Sequence, residues 1–264
     1  MNDGTISRAL TANGDPIAKG GKRGVREAIL QRFIEKIVSG EFAESATLPN
    51  EAELTEQFGV SRTSLREAMQ YMAAIGMIRS RTRAGTIVLP RENWNYLDPL
   101  LLDIMLTIGG DETFYSSLID ARQLLEPAAA AQAAANANAR QLAQIARAFE
   151  DMVEANSRDN EMWSRADLEF HTAIINASGN WVYRQFASAI RAALLASFRL
   201  TNRASQSHEQ AILKHQDVLE AIRMRRPDAA RHAMEQLIGV ARIEMTDALR
   251  KARSSAPAVD LNIK

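Results

Sequence analysis

Asp167 and His171 stand four residues apart, and His215 follows later in the chain. On a helix that spacing puts two side chains on one face, one turn apart. A carboxylate and two imidazoles brought together by helices have the donor chemistry of a divalent-metal site. The same residues also fit a plainer arrangement, a buried histidine hydrogen-bonded to its neighbouring carboxylate. There is no cysteine, which excludes disulfides, thiolate nucleophiles and cysteine-based zinc sites. A second constellation is cationic. Between Ser61 and Arg91, the side chains of Arg62, Arg66, Arg79, Arg81, Arg83 and Arg91 face Glu67 alone, a local charge of +5 in a chain whose formal net charge is zero. Such a patch in a neutral protein is the electrostatic footprint of a nucleic-acid contact.

The elements that must position these residues can be read from apolar spacing. The chain has 264 residues, 46% hydrophobic and 24% charged, a globular balance with length for about two domains. The greasiest stretch, Leu100 to Ile108, is broken by Asp103, so no membrane span is expected. The polar N-terminus lacks the apolar core of a signal peptide, and a cytoplasmic protein is expected. Leu30, Phe33, Ile34 and Ile37 form one helix face ending at Gly40. Asn50 and Glu53 have capping-box spacing at the start of a short helix that stops at Gly59. Ser61 caps a third helix with apolar residues Leu65, Ala68, Met69 and Met72, closed by Gly76. Ile78 to Val88 then reads as a two-stranded hairpin with a basic tip from Arg79 to Gly85.

That order is a winged helix-turn-helix. The third helix leaves Arg62, Thr63, Ser64, Arg66 and Gln70 off its apolar stripe, free to enter a major groove about 12 Å wide. Arginine can grip a guanine edge or a phosphate, hydroxyls serve phosphate oxygens, and the helix start at Ser61 favours an anion. Arg81, Arg83 and Gly85 on the hairpin could reach the backbone or the minor groove. A merely solvated arginine-rich face is the plainer alternative, and the order of elements is what speaks for DNA. After Asn95 the pattern is helical throughout, in segments Asp98–Ile108, Glu112–Asn136, Arg140–Asn156, Asn160–Ala177, Asn180–Asn202, Ser207–Met224 and Pro227–Lys251. The alanine-rich run Ala128 to Ala139 reads as a tightly packed helix. The expected fold is mainly α, an N-terminal winged helix-turn-helix followed by a C-terminal all-helical bundle. Its expected divisions are a flexible tail at 1–22, the DNA-binding domain at 23–90, a linker at 91–97, the helical effector-binding and dimerisation domain at 98–252, and a tail at 253–264.

Two stretches resemble known families. Leu48-Pro49-x-Glu51-x-Glu53-Leu54, then Val60-Ser61-Arg62-Thr63-x-Leu65-Arg66-Glu67-Ala68, Gly76 and Gly85 resemble the N-terminal signature of GntR-type bacterial transcriptional regulators. The resemblance implies that Arg62, Thr63, Ser64, Arg66 and Gly85 contact operator DNA. Ser45 stands where that family often has glycine, and Ala52 where it often has a DNA-contacting arginine. Asp120-x-Arg122-x-x-x-Glu126-Pro127, Asp167-x-x-x-His171, Ser178-Gly179-Asn180, and His215 with Ala221-Ile222 resemble the FCD effector domain of the FadR subfamily. That resemblance implies an all-helical domain in which one Asp and three His hold a metal that helps bind a small carboxylate. Asp167, His171 and His215 match three of those positions. The fourth is Leu237, with His232 five residues out of register. The chain is therefore expected to keep a divalent metal, zinc foremost, on three protein ligands with open positions, or to have lost it. Arg122 matches a position that pairs with the ligand carboxylate; a salt bridge to Asp120 or Glu126 is the plainer alternative. Asn180, with Arg184, Arg191 and Arg199, supplies further pocket candidates.

A narrower likeness lies in Trp94-Asn95-Tyr96-Leu97-Asp98 after Pro90-Arg91, with Glu51-Ala52-Glu53-Leu54. It is similar to the branch of the family that responds to D-galactonate, which implies a sugar-acid effector such as D-galactonate or a related aldonate or uronate. Trp94 and Tyr96 either pack one domain on the other or meet the ligand. The expected partners are double-stranded operator DNA, a second copy of the chain in a homodimer, and a small carboxylate that releases the DNA, as in a repressor. Two rival readings remain: a metal-dependent enzyme acting on a sugar acid through Asp167, His171 and His215, and an architectural DNA-binding protein without an effector.

Overall fold

The computed structural model describes residues 22–81, 85–108, 112–156, 160–201 and 209–255. The chain splits into two compact units, Met1–Ile108 and Gly109–Lys264. The expected tails fall outside the described residues, except that Lys22 opens the first helix and residues 253–255 close the last.

The first unit runs α1 (Lys22–Val38), α2 (Glu51–Phe58), α3 (Arg62–Ala74), β1 (Ile78–Arg81), β2 (Gly85–Val88) and α4 (Pro99–Ile108). Leu30, Phe33, Ile34 and Ile37 of α1 are buried as their spacing predicts, and Phe33 stacks on Phe58 with centroids 4.8 Å apart. Asn50 caps α2 through a complete capping box with Glu53, and Gly59 ends it in the left-handed conformation at φ 64°. Leu65, Ala68 and Met72 bury the inner face of α3. The strands pair antiparallel in the register Ile78↔Val88 to Arg81↔Gly85. Ser45, at the family's frequent glycine position, takes φ 64°, which explains that preference, since a side chain is strained there. Trp94 is buried, and its indole Nε1 donates to the Leu89 carbonyl at 3.0 Å. Its ring therefore packs inside this unit.

The second unit comprises α5 (Glu112–Asn136), α6 (Ala139–Ala155), α7 (Asn160–Ala177), α8 (Ala187–Thr201), α9 (Glu209–Arg223) and α10 (Pro227–Ser255). α5 packs chiefly on α10, and α6 on α7. The alanine-rich run lies largely inside: Ala129, Ala130, Ala133, Ala134 and Ala137 are almost fully buried, and small side chains let helices approach closely. The apolar core links Trp163 and Phe170 of α7, Val218, Leu219 and Ile222 of α9, and Met234, Leu237 and Ile238 of α10. Arg225, at φ 56° in the α9–α10 turn, donates to the carbonyls of Ala134 and Ala137, satisfying acceptors at the end of α5. Several helix starts differ from expectation, α4 opening one residue late at Pro99 because the Asp98 carboxylate accepts from the Leu101 N–H as its cap. α6 opens one residue early because Asn138 forms a capping box with Gln141. α8 opens seven residues late: the Asn180 side chain accepts from the backbone N–H groups of Val182 and Tyr183, and a 3-10 turn at Tyr183–Phe186 precedes the helix. Among the described residues no helix is long and apolar enough to cross a membrane.

Candidate functional site

The cationic face of the first unit is carried by α3 and the hairpin. The Ser61 Oγ accepts from the Ser64 N–H at 3.1 Å and fixes the start of α3. Arg62, Thr63, Arg66 and Gln70 are exposed, while Ser64 is half-buried against its own cap. Arg66 is already oriented, its Nε and Nη2 donating to the two Glu51 carboxylate oxygens at 2.7 and 3.2 Å. Ala52 lies exposed beside Glu51 on α2. Gly85 has φ 81°, and a Cβ there would meet Thr47 Cγ2 at 3.1 Å. The glycine thus answers a backbone requirement of the hairpin itself. Arg83 and the side chain of Arg81 lie outside the described residues.

In the second unit, three helices bring five ionisable side chains together in a buried cluster. α7 contributes Asp167 and His171, α9 contributes His215, and α5 contributes Arg122 and Glu126; each is 5% exposed or less. His215 Nε2 lies 2.7 Å and His171 Nε2 3.7 Å from the same oxygen, Asp167 Oδ1. The other imidazole nitrogens are spent elsewhere: His215 Nδ1 bonds the Ala211 carbonyl at 2.7 Å, and His171 Nδ1 meets Glu126 Oε2. Arg122 Nε donates to Glu126 Oε1 at 2.6 Å, and Arg122 Nη2 stands 3.4 Å from His171 Nε2. Edge-on rings of Phe170 and Trp163 brace the imidazoles.

The donor set fits a metal. The bond to Ala211 puts the proton of a neutral His215 on Nδ1, leaving a lone pair on Nε2. That nitrogen is buried without a hydrogen-bond partner, although it lies close to the carboxylate oxygen. A divalent cation held by these residues would take up both the lone pair and the negative charge of Asp167. The ligand atoms of Asp167, His171 and His215 all lie within 4.8 Å of one another, close enough for one ion. Leu237 is buried in the apolar core, and His232 is exposed on α10 beside Glu235, so neither adds a ligand.

The structure brings the candidate residues Asp167, His171, His215 and Arg122 together here. Of the two ionic partners foreseen for Arg122, the structure selects Glu126; Asp120 pairs with Arg242. Glu126 itself was not among the candidate site residues, although its four-residue spacing from Arg122 was the available signal. Asn180 uses its side chain within its own turn, Arg184 and Arg191 are exposed, and the side chain of Arg199 lies outside the described residues.

Burial pushes the Glu126 carboxyl up, but Arg122 and His171 outweigh it and hold it at about 2, below its ordinary 4.5. Burial likewise raises Asp167, and the neighbouring imidazoles, His171 first and then His215, bring it down from 3.8 to about 2. Both folded values are depressed, so the stability that these groups confer is complete above their unfolded values and is lost as pH falls from about 4.5 towards 2. The unfolding midpoint of chelator-treated protein is expected to drop through that window. The drop should be shallower in Asp167→Asn, and a slope identical to wild type would contradict this assignment.

Residues 25–88 match the bacterial regulatory proteins of the gntR family, and residues 117–239 match the FCD domain. The chain is 35% identical to the galactonate operon transcriptional repressor of Escherichia coli K12, over 77% of this chain and 89% of that protein. It is 34% identical to the uncharacterised HTH-type regulator YieP of the same organism, over 80% and 90% of the two chains. Among solved structures, one of Lar, which controls expression of the Listeria monocytogenes agr system, aligns with TM-score 0.59 at 19% identity, covering 84% of this chain and 96% of that one; the likeness shows the fold. The families and relatives matched are regulators of transcription, not enzymes. A winged helix-turn-helix followed by a helical effector domain, matched on both halves, makes this chain a member of the GntR family of bacterial transcription regulators with an FCD domain.

Proposed function

We propose that this regulator is a repressor that binds operator DNA as a homodimer and is released by a small carboxylate, a sugar acid such as D-galactonate or a related aldonate or uronate. The observation that carries the sensor half is the buried cluster in which Arg122 stands beside an Asp-His-His set. Asp167, His171 and His215 would hold a divalent metal, zinc foremost. Such an ion supplies a Lewis-acidic anchor for anionic oxygens, and a three-ligand site leaves positions open for them. Arg122, planar and always charged, is suited to the effector carboxylate. Asn180 is a further candidate contact, at the turn after α7. The sugar-acid assignment is supported by the likeness to the galactonate operon repressor. Action on operator DNA places the protein in the cytoplasm.

On the DNA side, Ser61, Arg62, Thr63, Ser64 and Arg66 of α3, with Arg81, Arg83 and Gly85 of the hairpin, form the contact. A two-fold dimer presents two such readers to a near-palindromic operator. The effector acts by binding the free and DNA-bound states with different affinity.

The test is operator binding by fluorescence anisotropy with aldonates and uronates titrated in. Release by one sugar acid supports the reading; tight DNA binding untouched by every acid overturns the sensor half. Arg62→Ala is expected to weaken operator binding about 10–100-fold per half-site while leaving sugar-acid binding intact. Wild-type operator affinity in that variant would remove Arg62 from the contact.

A further inference from the structure

We propose that Glu126 is the positioning residue of the sensor site, fixing which nitrogen of His171 carries the proton while holding Arg122 in place. The inference rests on the metal-site reading for its purpose, but its geometry stands alone. Glu126 is buried at 1% exposure, and its two oxygens have different partners: Oε1 accepts from Arg122 Nε, and Oε2 faces His171 Nδ1. An ionised carboxylate only accepts hydrogen bonds. The imidazole must therefore place its proton on Nδ1, which leaves the Nε2 lone pair directed to the side of Asp167. The Ala211 carbonyl imposes the same choice on His215. Both histidines are thus set in the form that can ligate a cation, one by a backbone carbonyl and the other by Glu126. A metal-ligating histidine held by an outer acceptor gains both orientation and basicity.

The carboxylate cannot be replaced by its amide. Glutamine offers one acceptor oxygen and one NH2 group, whereas Glu126 meets two donors. The guanidinium of Arg122 has no acceptor and keeps its proton, so the amide oxygen goes to Arg122 and the NH2 turns to His171. The ring can answer only by accepting at Nδ1 and moving its proton to Nε2. That removes the lone pair from the metal position without removing any ligand residue.

Full-length, chelator-treated protein with 15N-labelled histidine tests this through long-range 1H–15N correlation at mildly alkaline pH. The four histidines of the chain can be assigned by single substitution. Wild type is expected to show His171 protonated at Nδ1, and Glu126→Gln at Nε2. Zinc affinity measured against a competing chelator should fall about 10–100-fold in Glu126→Gln, and the rise in unfolding midpoint on adding zinc should shrink. A purely structural role would lower the midpoint of the metal-free protein and leave the tautomer unmoved. His171 protonated at Nε2 in wild type overturns the proposal, and that spectrum needs no variant to fold. So does a Glu126→Gln protein with an unchanged tautomer and unchanged zinc affinity. Wild-type protein that binds no zinc would instead refute the metal reading, and the tautomer shift would still decide the role of Glu126.

Discussion

Gly76→Ala is expected to cost the first unit on the order of 3 kcal/mol or more and to abolish tight operator binding at growth temperature. Gly76 ends the turn between α3 and β1 at φ 76°, and a Cβ there would lie 2.1 Å from the carbonyl oxygen of Asn93. That neighbour is backbone in a short 3-10 turn, Arg91–Asn93, and cannot swing aside as a side chain could. The same region is stitched by hydrogen bonds from Met77 N–H to the Met72 carbonyl, from Leu89 N–H to the Met77 carbonyl and from Asn95 N–H to the Ile75 carbonyl, each 2.8 to 2.9 Å. They set the hairpin against the end of the reading helix, so displacing Asn93 disturbs the surface that meets DNA. Gly40→Ala is the internal control. Its φ is 83°, but nothing lies within 4 Å of the added Cβ, so only the left-handed strain of about 1–2 kcal/mol applies. Thermal unfolding of the two variants separates the effects. Equal losses would mean that backbone conformation alone governs Gly76 and that the contact with Asn93 yields freely.

The reading half was legible from sequence because its devices are local. The Asn50–Glu53 box, the Ser61 cap, the αL glycine at 59 and the apolar stripe of α3 each declare themselves within a few residues, and the structure uses each as predicted. The Asp167-His171 pair was visible for the same reason, since four residues on a helix define a face. What could not be read was the meeting of α5 with α7. Glu126 was one turn from Arg122, but no spacing says that His171, on another helix, faces the far oxygen of that carboxylate. The late start of α8 was hidden by a competition between equals. Asn180 could begin a helix or close a turn, and its side-chain oxygen accepts from the backbone N–H groups two and three residues on. Gly85 is expected at a close approach to DNA, and its positive φ and the Thr47 methyl favour glycine independently of that role.

Asp167→Asn is expected to abolish stoichiometric zinc binding and, with it, the response to the sugar acid. Asp167 Oδ1 is the one atom that both Nε2 lone pairs face, at 2.7 and 3.7 Å, and it is the only charged ligand of the set. An amide of nearly equal shape keeps the packing and removes the negative charge that offsets a dication in a buried site. The loss in zinc affinity should exceed the 10–100-fold assigned to an outer acceptor, because the ligand itself is lost. Operator binding should persist, since Asp167 belongs to the second unit and the reader to the first. Such a variant would remain on DNA at sugar-acid concentrations that release wild type. The plainer reading of the cluster, a carboxylate hydrogen-bonded to buried histidines, makes a different prediction. Without a metal, Asp167→Asn would cost about 1–3 kcal/mol of stability through unsatisfied buried groups, and zinc would not raise the unfolding midpoint of either protein. Elemental analysis of dialysed wild-type and variant protein, beside midpoints with and without zinc, separates the two readings. One zinc per wild-type chain and none in the variant assigns the cluster to a metal. None in either, with the stability loss alone, assigns it to the hydrogen-bonded core of the helical unit.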